Sequence, residues 1–217
     1  STGVISSQNH FTQIVVNNVK VSVIYTRPSH FGIAQEVYFY FEALQDVITT
    51  GLCTLIARAV NITDGTINAW LPTDEEVTSN TAFLHPTTDL TMTIPSTAGN
   101  MISIGGYRAN TDTISVFSGR GDPMCNTRVK LDMVAPAENI ISASANGGYS
   151  SYTGTSMAAP FASGSIALLM EWGIVNGNDP FLYGQKIKSF LCKNALRNQH
   201  LDYPNSIWGY GRLNLCD

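Results

Sequence analysis

The sequence has little charge of either sign. Only 13% of its 217 residues are Asp, Glu, Lys or Arg, and 12 basic against 16 acidic residues give a net charge of −4. It contains no run of Lys or Arg that would follow a phosphate backbone or an anionic lipid surface. The composition therefore argues against a nucleic acid partner.

Long apolar runs are also missing. No stretch approaches the roughly 18 apolar residues typical of a membrane span, and the N-terminal segment has neither the basic start nor the apolar core of a signal peptide. We therefore predict a chain with no membrane partner. Because it opens with Ser1 in place of Met, we expect that it was processed or cut from a longer molecule.

The four cysteines lack the spacing of a metal site. No C-x-x-C pair occurs, and no histidine stands at ligand distance in the sequence, which argues against zinc. Reduced thiols are the prediction, and a disulfide between Cys192 and Cys216 is the alternative.

The first half of the chain is rich in β-branched and aromatic residues. "QIVVNNVKVSVIYT", "QEVYFYFEAL", "LCTLIARAV" and "TINAWLP" are each typical of strands, and turn signals such as Asn17-Asn18 separate them. Short strands without a long helical pattern favour an antiparallel sandwich.

The second half follows an α/β pattern. Short apolar strands are predicted in "MISIGG" and "LDMVAP", as in a buried parallel sheet. One helix is predicted from Ser156 to Trp172, and a second is predicted to begin at Asn178-Asp179-Pro180 and to continue through "FLYGQKIKSFLC". Strands followed by helices predict an α/β architecture here.

The segment "GTSMAAP", residues 154–160, carries the chemistry. A nucleophilic serine suits the start of a helix, where free N–H groups and the helix dipole stabilise the oxyanion of acyl transfer. Gly154 permits a turn closed to other residues, and Pro160 is expected in the first turn. Ala158, Ala159 and Ala162 are expected to allow close helix packing. The alternative is that a Ser or Thr of this segment only caps a buried helix.

"GTSMAAP" closely resembles the nucleophile signature of the subtilisin-like serine proteases. The resemblance extends from about Ile94 to Leu215 through "MISIGGYRANTDTISVFSGRG", "KLDMVAPAENIISAS" and "GYGRLNL". Ala137 departs from it, because the family has Gly after the Pro, and we expect this to alter a turn more than catalysis. "DGTINAWLP" and "LLMEWGIVNGNDPFLYGQKIK" are similar to the clostridial germination-protease type, which carries an inserted jelly-roll domain.

The resemblance implies a domain organisation and a reaction. Residues 1–90 are expected to form most of the all-β, jelly-roll-like sandwich, and residues 91–217 the C-terminal part of an α/β subtilisin-like domain with a parallel sheet and helices. Ser156 is the implied catalytic nucleophile, and a protein or peptide is the implied substrate. An extracellular or spore-associated bacterial location is the one suggested by the family.

The resemblance also implies an Asp, a His and an oxyanion Asn, and no residue of this chain stands in the sequence context that the family gives to them. Subtilisins order their triad as Asp, His and Ser, so both partners of Ser156 belong upstream. The chain contains four histidines, and none of them stands in the His-Gly-Thr context of the family. They are His10, His30, His85 and His200. Asn100 in "AGN" imitates the oxyanion Asn, but it immediately precedes a strand that follows the oxyanion segment in the family. We therefore expect the Asp, the His, the oxyanion Asn and the N-terminal part of the domain to lie outside this chain, which would be inactive alone.

The acidic residues of this chain are predicted to have structural roles. Asp112, Asp122 and Asp132 are assigned to turns and strand ends. No cofactor is expected; a calcium ion held by Asp64, Asp74, Glu75 and Glu76 is the weak alternative, since no D-x-D-x-D-G loop supports it. The alternative function is a non-catalytic, protein-binding module on a subtilase scaffold.

Overall fold

The computed structural model describes residues 10–27, 35–48, 50–58, 65–72, 77, 80–123 and 130–215. The chain divides into two compact units, Ser1–Trp70 and Leu71–Asp217. This division precedes the boundary expected between residues 90 and 91. Leu90 and Thr91 donate hydrogen bonds to the carbonyls of Gly121 and Arg120, so their segment belongs to the second unit.

The first unit contains an antiparallel sheet in the order β1-β2-β3. Its strands are β1 Phe11–Val16, β2 Val19–Tyr25 and β3 Val37–Ala43. Asn17 and Asn18 join β1 to β2, and Asn17 has the positive φ of 53° that a two-residue hairpin requires. The turn predicted at Asn17-Asn18 is therefore confirmed, and it joins the two strands as a hairpin.

The strands predicted in "LCTLIARAV" and "TINAWLP" are wrong for the described residues 50–58 and 65–72, which contain no strand. Their apolar side chains, among them Leu52, Ile56 and Trp70, are exposed. β propensity forms a strand only where a neighbouring strand accepts its hydrogen bonds. Because a sandwich needs two packed sheets and this unit shows one within its described residues, the jelly roll stays a prediction.

The second unit is an α/β unit. Its three-stranded sheet has the order β5-β4-β6, with β4 and β6 parallel, and α1 packs against both of these strands. A separate hairpin, β7-β8, leads into α1. The elements are β4 Ile104–Arg108, β5 Thr113–Ile114, β6 Met133–Pro136, β7 Ile140–Ala143, β8 Tyr149–Tyr152, α1 Thr155–Met170, a π-helical turn Glu171–Val175 and α2 Gln185–Asn194. The α/β prediction is confirmed for this unit.

The second helix begins later than predicted. Asn178-Asp179-Pro180 forms a turn, in which the Leu182 N–H donates to the Asp179 carbonyl at 3.0 Å and the Phe181 N–H donates to the Asp179 carboxylate at 3.3 Å. Gly184, with φ 55°, then precedes the first residue of α2. The Asp179 side chain therefore caps a turn and not the helix, and the prediction that the helix begins at Asn178-Asp179-Pro180 is wrong.

The helix from Thr155 to Val175 corrects the view that no segment approaches a membrane span. Its 21 residues have a mean hydropathy of 1.4 over the most apolar window, which satisfies the length and composition of a spanning helix. The core helix of a soluble protein satisfies the same test, but such a helix is mostly buried, whereas 17% of this window is buried. The buried residues of α1 include Ala158 and Ala162, and α1 packs against β4 and β6.

The main core of the second unit contains Met133, Leu182, Ile187, Leu191 and Cys192. Cys192 is a free thiol, and burial raises its pKa to about 11, with the nearby charge of Asp132 adding to the shift. Cys53 is free and exposed. Cys125 and Cys216, the partner of Cys192 in the alternative disulfide, lie outside the described residues, so reduced thiols stay the prediction.

A second, small-residue core brings α1 close to the sheet. Ala135, Ala137 and Ala158 are fully buried and pack together. A methyl group placed on Gly106 would lie 2.5 Å from the Cβ of Ala137 and 3.7 Å from the Cγ2 of Thr155. The Ala137 side chain thus occupies the space beside Gly106, which is an effect on packing. An effect of Ala137 on the turn stays a prediction.

Gly106→Ala is expected to destabilise the protein by about 1–3 kcal/mol, because the added methyl group overlaps the Ala137 methyl. In G106A/A137G the methyl groups exchange places, and the loss should be smaller than the sum of the two single losses. Gly164→Ala is the control, since Gly164 lies in α1 with open space around its Cβ position and the change should stabilise the helix. Urea unfolding of the four variants measures these differences, and additive losses would contradict the overlap.

Candidate active site

The turn before α1 is attached to the carboxyl ends of the parallel strands. Ala137, directly after β6, donates its N–H to the Tyr107 carbonyl on β4 at 3.0 Å and accepts the Gly154 N–H at 2.9 Å. The Thr153 hydroxyl accepts the Asn139 N–H at 2.9 Å. Backbone bonds from both strands therefore place the start of α1.

Gly154 is the N-cap of α1, with φ 152° and ψ 162°. Residues with a Cβ atom rarely adopt this φ, so the position requires glycine. The helix begins at Thr155 and has no side-chain cap hydrogen bond. The alternative that Thr155 or Ser156 only caps the helix is therefore wrong.

Ser156 is the second residue of α1, and its side chain is exposed. In the part of the chain that the structure describes, its hydroxyl forms no hydrogen bond. The first N–H groups of a helix have no acceptor in a preceding turn, and the dipole places partial positive charge there. In α1 the Met157 N–H donates to the carbonyl of the N-cap Gly154 at 3.0 Å. The arrangement suits an exposed hydroxyl beside N–H groups that stabilise a developing oxyanion.

Pro160 lies inside α1, beyond the first turn where it was expected. The helix starts one residue before Ser156, so Pro160 occupies the position whose N–H would bond the Ser156 carbonyl. Proline has no N–H, and that carbonyl therefore lacks its usual intrahelical donor. The packing prediction is confirmed for Ala158 and Ala162, which are buried, and is wrong for Ala159, which is exposed.

Within the described part of the second unit, neither His85 nor His200 forms a hydrogen bond with Ser156. His10, His85 and His200 are all exposed, and His10 bonds the Tyr25 carbonyl in the first unit. His200 lies in a turn beside Asn198, as expected for a surface loop. His30 is outside the described residues.

The acidic residues have structural contacts. Asp112 pairs with Arg212. Asp132 is only 1% exposed, and both of its oxygens lie within 2.8 Å of the Lys188 ammonium. Asp122 is half-buried.

The calcium alternative lies outside the described residues, because its four residues are Asp64, Asp74, Glu75 and Glu76. The described part of the chain contains no cluster of three or more Asp, Glu, His or Cys side chains that could hold a metal ion.

Asn100 lies at the opposite end of the sheet from Ser156. Its segment leads into the amino end of β4, and its carbonyl accepts a hydrogen bond from Gln185 at 3.3 Å. β4 has five residues, which corresponds to a length of about 16 Å, and Ser156 follows the other end of the sheet. This position agrees with Asn100 being an imitation of the oxyanion residue.

The family assignment comes from a model of the subtilase family that matches residues 77–211. The chain belongs to the subtilase family. The matched part of this subtilase includes β4, β6, α1 and α2 together with the Ser156 turn. The family predicted from "GTSMAAP" and its neighbouring segments is therefore confirmed.

Similar proteins, one with a solved structure and others known from curated sequences, are named as proteases or proteinases. The structure of the CspB protease of Clostridium perfringens superposes with a TM-score of 0.79 and 38% identity, covering 94% of this subtilase chain and 42% of that chain. A PII-type proteinase of Lactococcus lactis subsp. cremoris is 37% identical over 97 residues, covering 44% of this chain and 5% of the relative. The major intracellular serine protease of Bacillus subtilis is 36% identical over 81 residues, covering 37% and 23%. The chain thus spans less than half the length of each relative.

Sequence reasoning missed two lysines, Lys130 and Lys188, that surround the carboxylate of Asp132. Lys130 stands two residues before Asp132 in "KLDMVAP", a spacing that places two side chains on one side of an extended chain. Lys188 had no comparable signal, because it reaches Asp132 from α2 only in the folded unit.

Proposed function

We propose that this chain supplies the nucleophile, Ser156, of a serine endopeptidase. The observation that carries the proposal is the exposed Ser156 hydroxyl at the first turn of α1, held by Gly154 and Ala137 at the carboxyl ends of β4 and β6. The subtilase family model matches this region, and the relatives above are named as proteases. A protein or peptide is the proposed substrate.

The reaction begins when the Ser156 oxygen attacks the carbonyl carbon of a peptide bond and its proton passes to a general base. The carbonyl oxygen becomes an oxyanion, which the Ser156 N–H stabilises. The C–N bond then breaks, the base returns the proton to the leaving amine, and an acyl-enzyme ester remains on Ser156. Water, deprotonated by the same base, hydrolyses the ester and regenerates the hydroxyl.

The general base, the Asp that orients it and the oxyanion Asn are proposed to come from outside these 217 residues. Support comes from the order Asp, His, Ser in subtilisins and from the 42% share of the CspB protease chain that is matched. Without a base the serine hydroxyl is a weak nucleophile, so the chain alone should be inactive.

A biotinylated fluorophosphonate tests the proposal on the complete protein. An activated Ser156 oxygen attacks the phosphorus, fluoride leaves, and a stable adduct remains. Peptide mapping by mass spectrometry is expected to find the adduct on Ser156 and to lose it in S156A. Ser163→Ala should keep it, since Ser163 is an exposed serine of the same helix whose hydroxyl bonds the Ala159 carbonyl.

Two outcomes would overturn parts of this proposal. A folded complete protein that forms no adduct would favour the alternative, a non-catalytic protein-binding module on a subtilase scaffold. Labelling of the isolated 217-residue chain at the rate of the complete protein would show that the chain contains its own base.

A further inference from the structure

A cavity of about 240 Å³ lies in the second unit between two paired segments of the chain. Thr87, Thr88 and Thr91 line it from one segment, and Phe117 and Arg120 line it from the other. The Thr91 N–H donates to the Arg120 carbonyl at 3.0 Å, which holds the two segments together. This cavity is named here the threonine pocket.

The guanidinium group of Arg120 is oriented in the threonine pocket but its charge is not balanced there. Its Nη1 donates to the Thr88 hydroxyl at 3.0 Å, and the Arg120 backbone N–H donates to the Thr91 hydroxyl at 3.0 Å. Among the described residues, no carboxylate lies close enough to form an ion pair with it. Since a guanidinium carries five N–H donors, most of them remain available to a ligand.

The polar groups of the pocket suit a carboxylate. Arg120 is half-buried, so its charge has lost part of its hydration, and a carboxylate that accepts two parallel N–H bonds from the guanidinium replaces it. The Thr87 hydroxyl accepts the Asp89 N–H at 3.2 Å, which leaves its own proton free to be donated to a ligand oxygen. The pocket therefore combines a positive charge with hydroxyl donors.

Two apolar side chains complete the lining. Val116 and Phe117 line the pocket and are 96% and 41% exposed. Contact with them removes apolar surface from water, which favours a ligand that carries methylene groups next to its carboxylate. An acidic amino-acid side chain has both parts.

The threonine pocket adjoins the turn that holds Ser156. A Cβ atom placed on Gly106 would lie 3.4 Å from the Cε2 of Phe117 and 3.7 Å from the Cγ2 of Thr155, so both side chains lie on one face of β4. Thr155 directly precedes Ser156, and an extended peptide advances about 3.3 Å per residue. A substrate side chain within a few residues of the scissile bond therefore reaches the pocket.

We propose that the threonine pocket binds an acidic side chain of the substrate, whose carboxylate pairs with the guanidinium of Arg120. The inference rests on the proposed function, because it assigns a specificity-determining residue to the same endopeptidase. A Gln side chain of the same size offers only one acceptor oxygen and no charge, and a Lys side chain is repelled by the like charge. The complete protein should therefore prefer Glu at one substrate position.

Hydrolysis of paired peptides by the complete protein tests the proposal. A mixed peptide library first identifies a cleaved sequence, and Glu or Gln is then placed at each position on either side of the scissile bond. At one position Glu is expected to give a kcat/KM about tenfold higher than Gln, the size expected of a hydrogen-bonded charge pair. R120Q should bring this ratio close to one, R120K should keep part of it, and R120E should favour Lys at that position. R58Q, which alters an exposed arginine of the first unit, is the control and should keep the ratio.

A binding measurement gives a readout that does not depend on catalysis. In S156A, fluorescence anisotropy should show the Glu peptide binding about tenfold more tightly than the Gln peptide. S156A/R120Q should lose this difference. If R120Q does not fold, Thr88→Val replaces it, because it removes the hydroxyl that orients the guanidinium and should reduce the preference.

Three results would overturn the proposal, and they separate it from the proposed function. A fluorophosphonate adduct on Ser156 together with equal hydrolysis of Glu and Gln peptides at every position would remove the acidic preference and leave the endopeptidase intact. A Glu preference that persists in R120Q would assign it to another residue. Neither adduct nor hydrolysis would overturn the proposed function, and with it the role of the pocket toward a substrate.

Discussion

Replacing Ser156 by Ala in the complete protein is expected to lower kcat for peptide hydrolysis about a million-fold. The members of a catalytic triad act as a unit, and loss of the nucleophile has an effect of that size in subtilisin. KM should change much less, because the Ser156 side chain is exposed and contributes little to the fold or to ground-state binding. Hydrolysis of a chromogenic peptide under single-turnover and steady-state conditions separates the two constants.

The control for this measurement is Ser163→Ala, which removes a hydroxyl from the same helix without altering the first turn of α1. It should retain kcat within a few-fold. A loss confined to KM in S156A, or equal losses in both variants, would contradict a nucleophilic role for Ser156. Unfolding curves that coincide for the two variants exclude a folding defect as the cause.

Asp132→Asn is expected to produce the largest loss of stability, about 3–5 kcal/mol in the free energy of unfolding. The change leaves the Lys188 ammonium, which is 16% exposed, without the charge that balances it. It also weakens the bond from the Ser103 N–H, and so the alignment of β4 with β6. Urea unfolding measures the loss, and D132N/K188M should recover part of it because no unbalanced charge remains.

The matched control is Asp179→Asn. The hydrogen bond from Lys186 holds the pKa of Asp179 below its usual value, but this pair is on the surface. Its contribution is present above the unfolded pKa and is lost as the pH falls through the lowered folded pKa. Since solvent screens an exposed pair, D179N should change stability little at neutral pH. Equal losses in D132N and D179N would contradict the importance of burial.

Short sequence motifs correctly predicted the turns and helix starts that depend only on neighbouring residues. The Asn17-Asn18 hairpin forms because a two-residue turn needs positive φ, which Asn tolerates. α1 starts within one residue of its predicted start because only Gly154 can adopt the φ of its N-cap. The same reasoning misplaced α2, since Asp179 is as good a cap for a turn as for a helix.

Long-range partners decided the features that sequence reasoning missed. The strands predicted in "LCTLIARAV" and "TINAWLP" do not form in the described residues 50–58 and 65–72, because propensity alone does not supply a neighbouring strand. Lys188 reaches Asp132 across 56 residues of sequence, and Lys130 is enclosed by a loop about 30 residues before it. No local pattern encodes such distances.

The amino-acid sequence by itself determined the family, the candidate nucleophile Ser156 and the α/β character of the second unit. These features depend on short motifs and hydrophobic periodicity, which operate over a few neighbouring residues. Only the tertiary structure decided that Ala137 fills the space beside Gly106 and that Lys130 occupies a shell of carbonyl oxygens. Both features depend on atoms from distant positions that come together only when the chain folds. Packing and the solvation of buried charge act between such atoms.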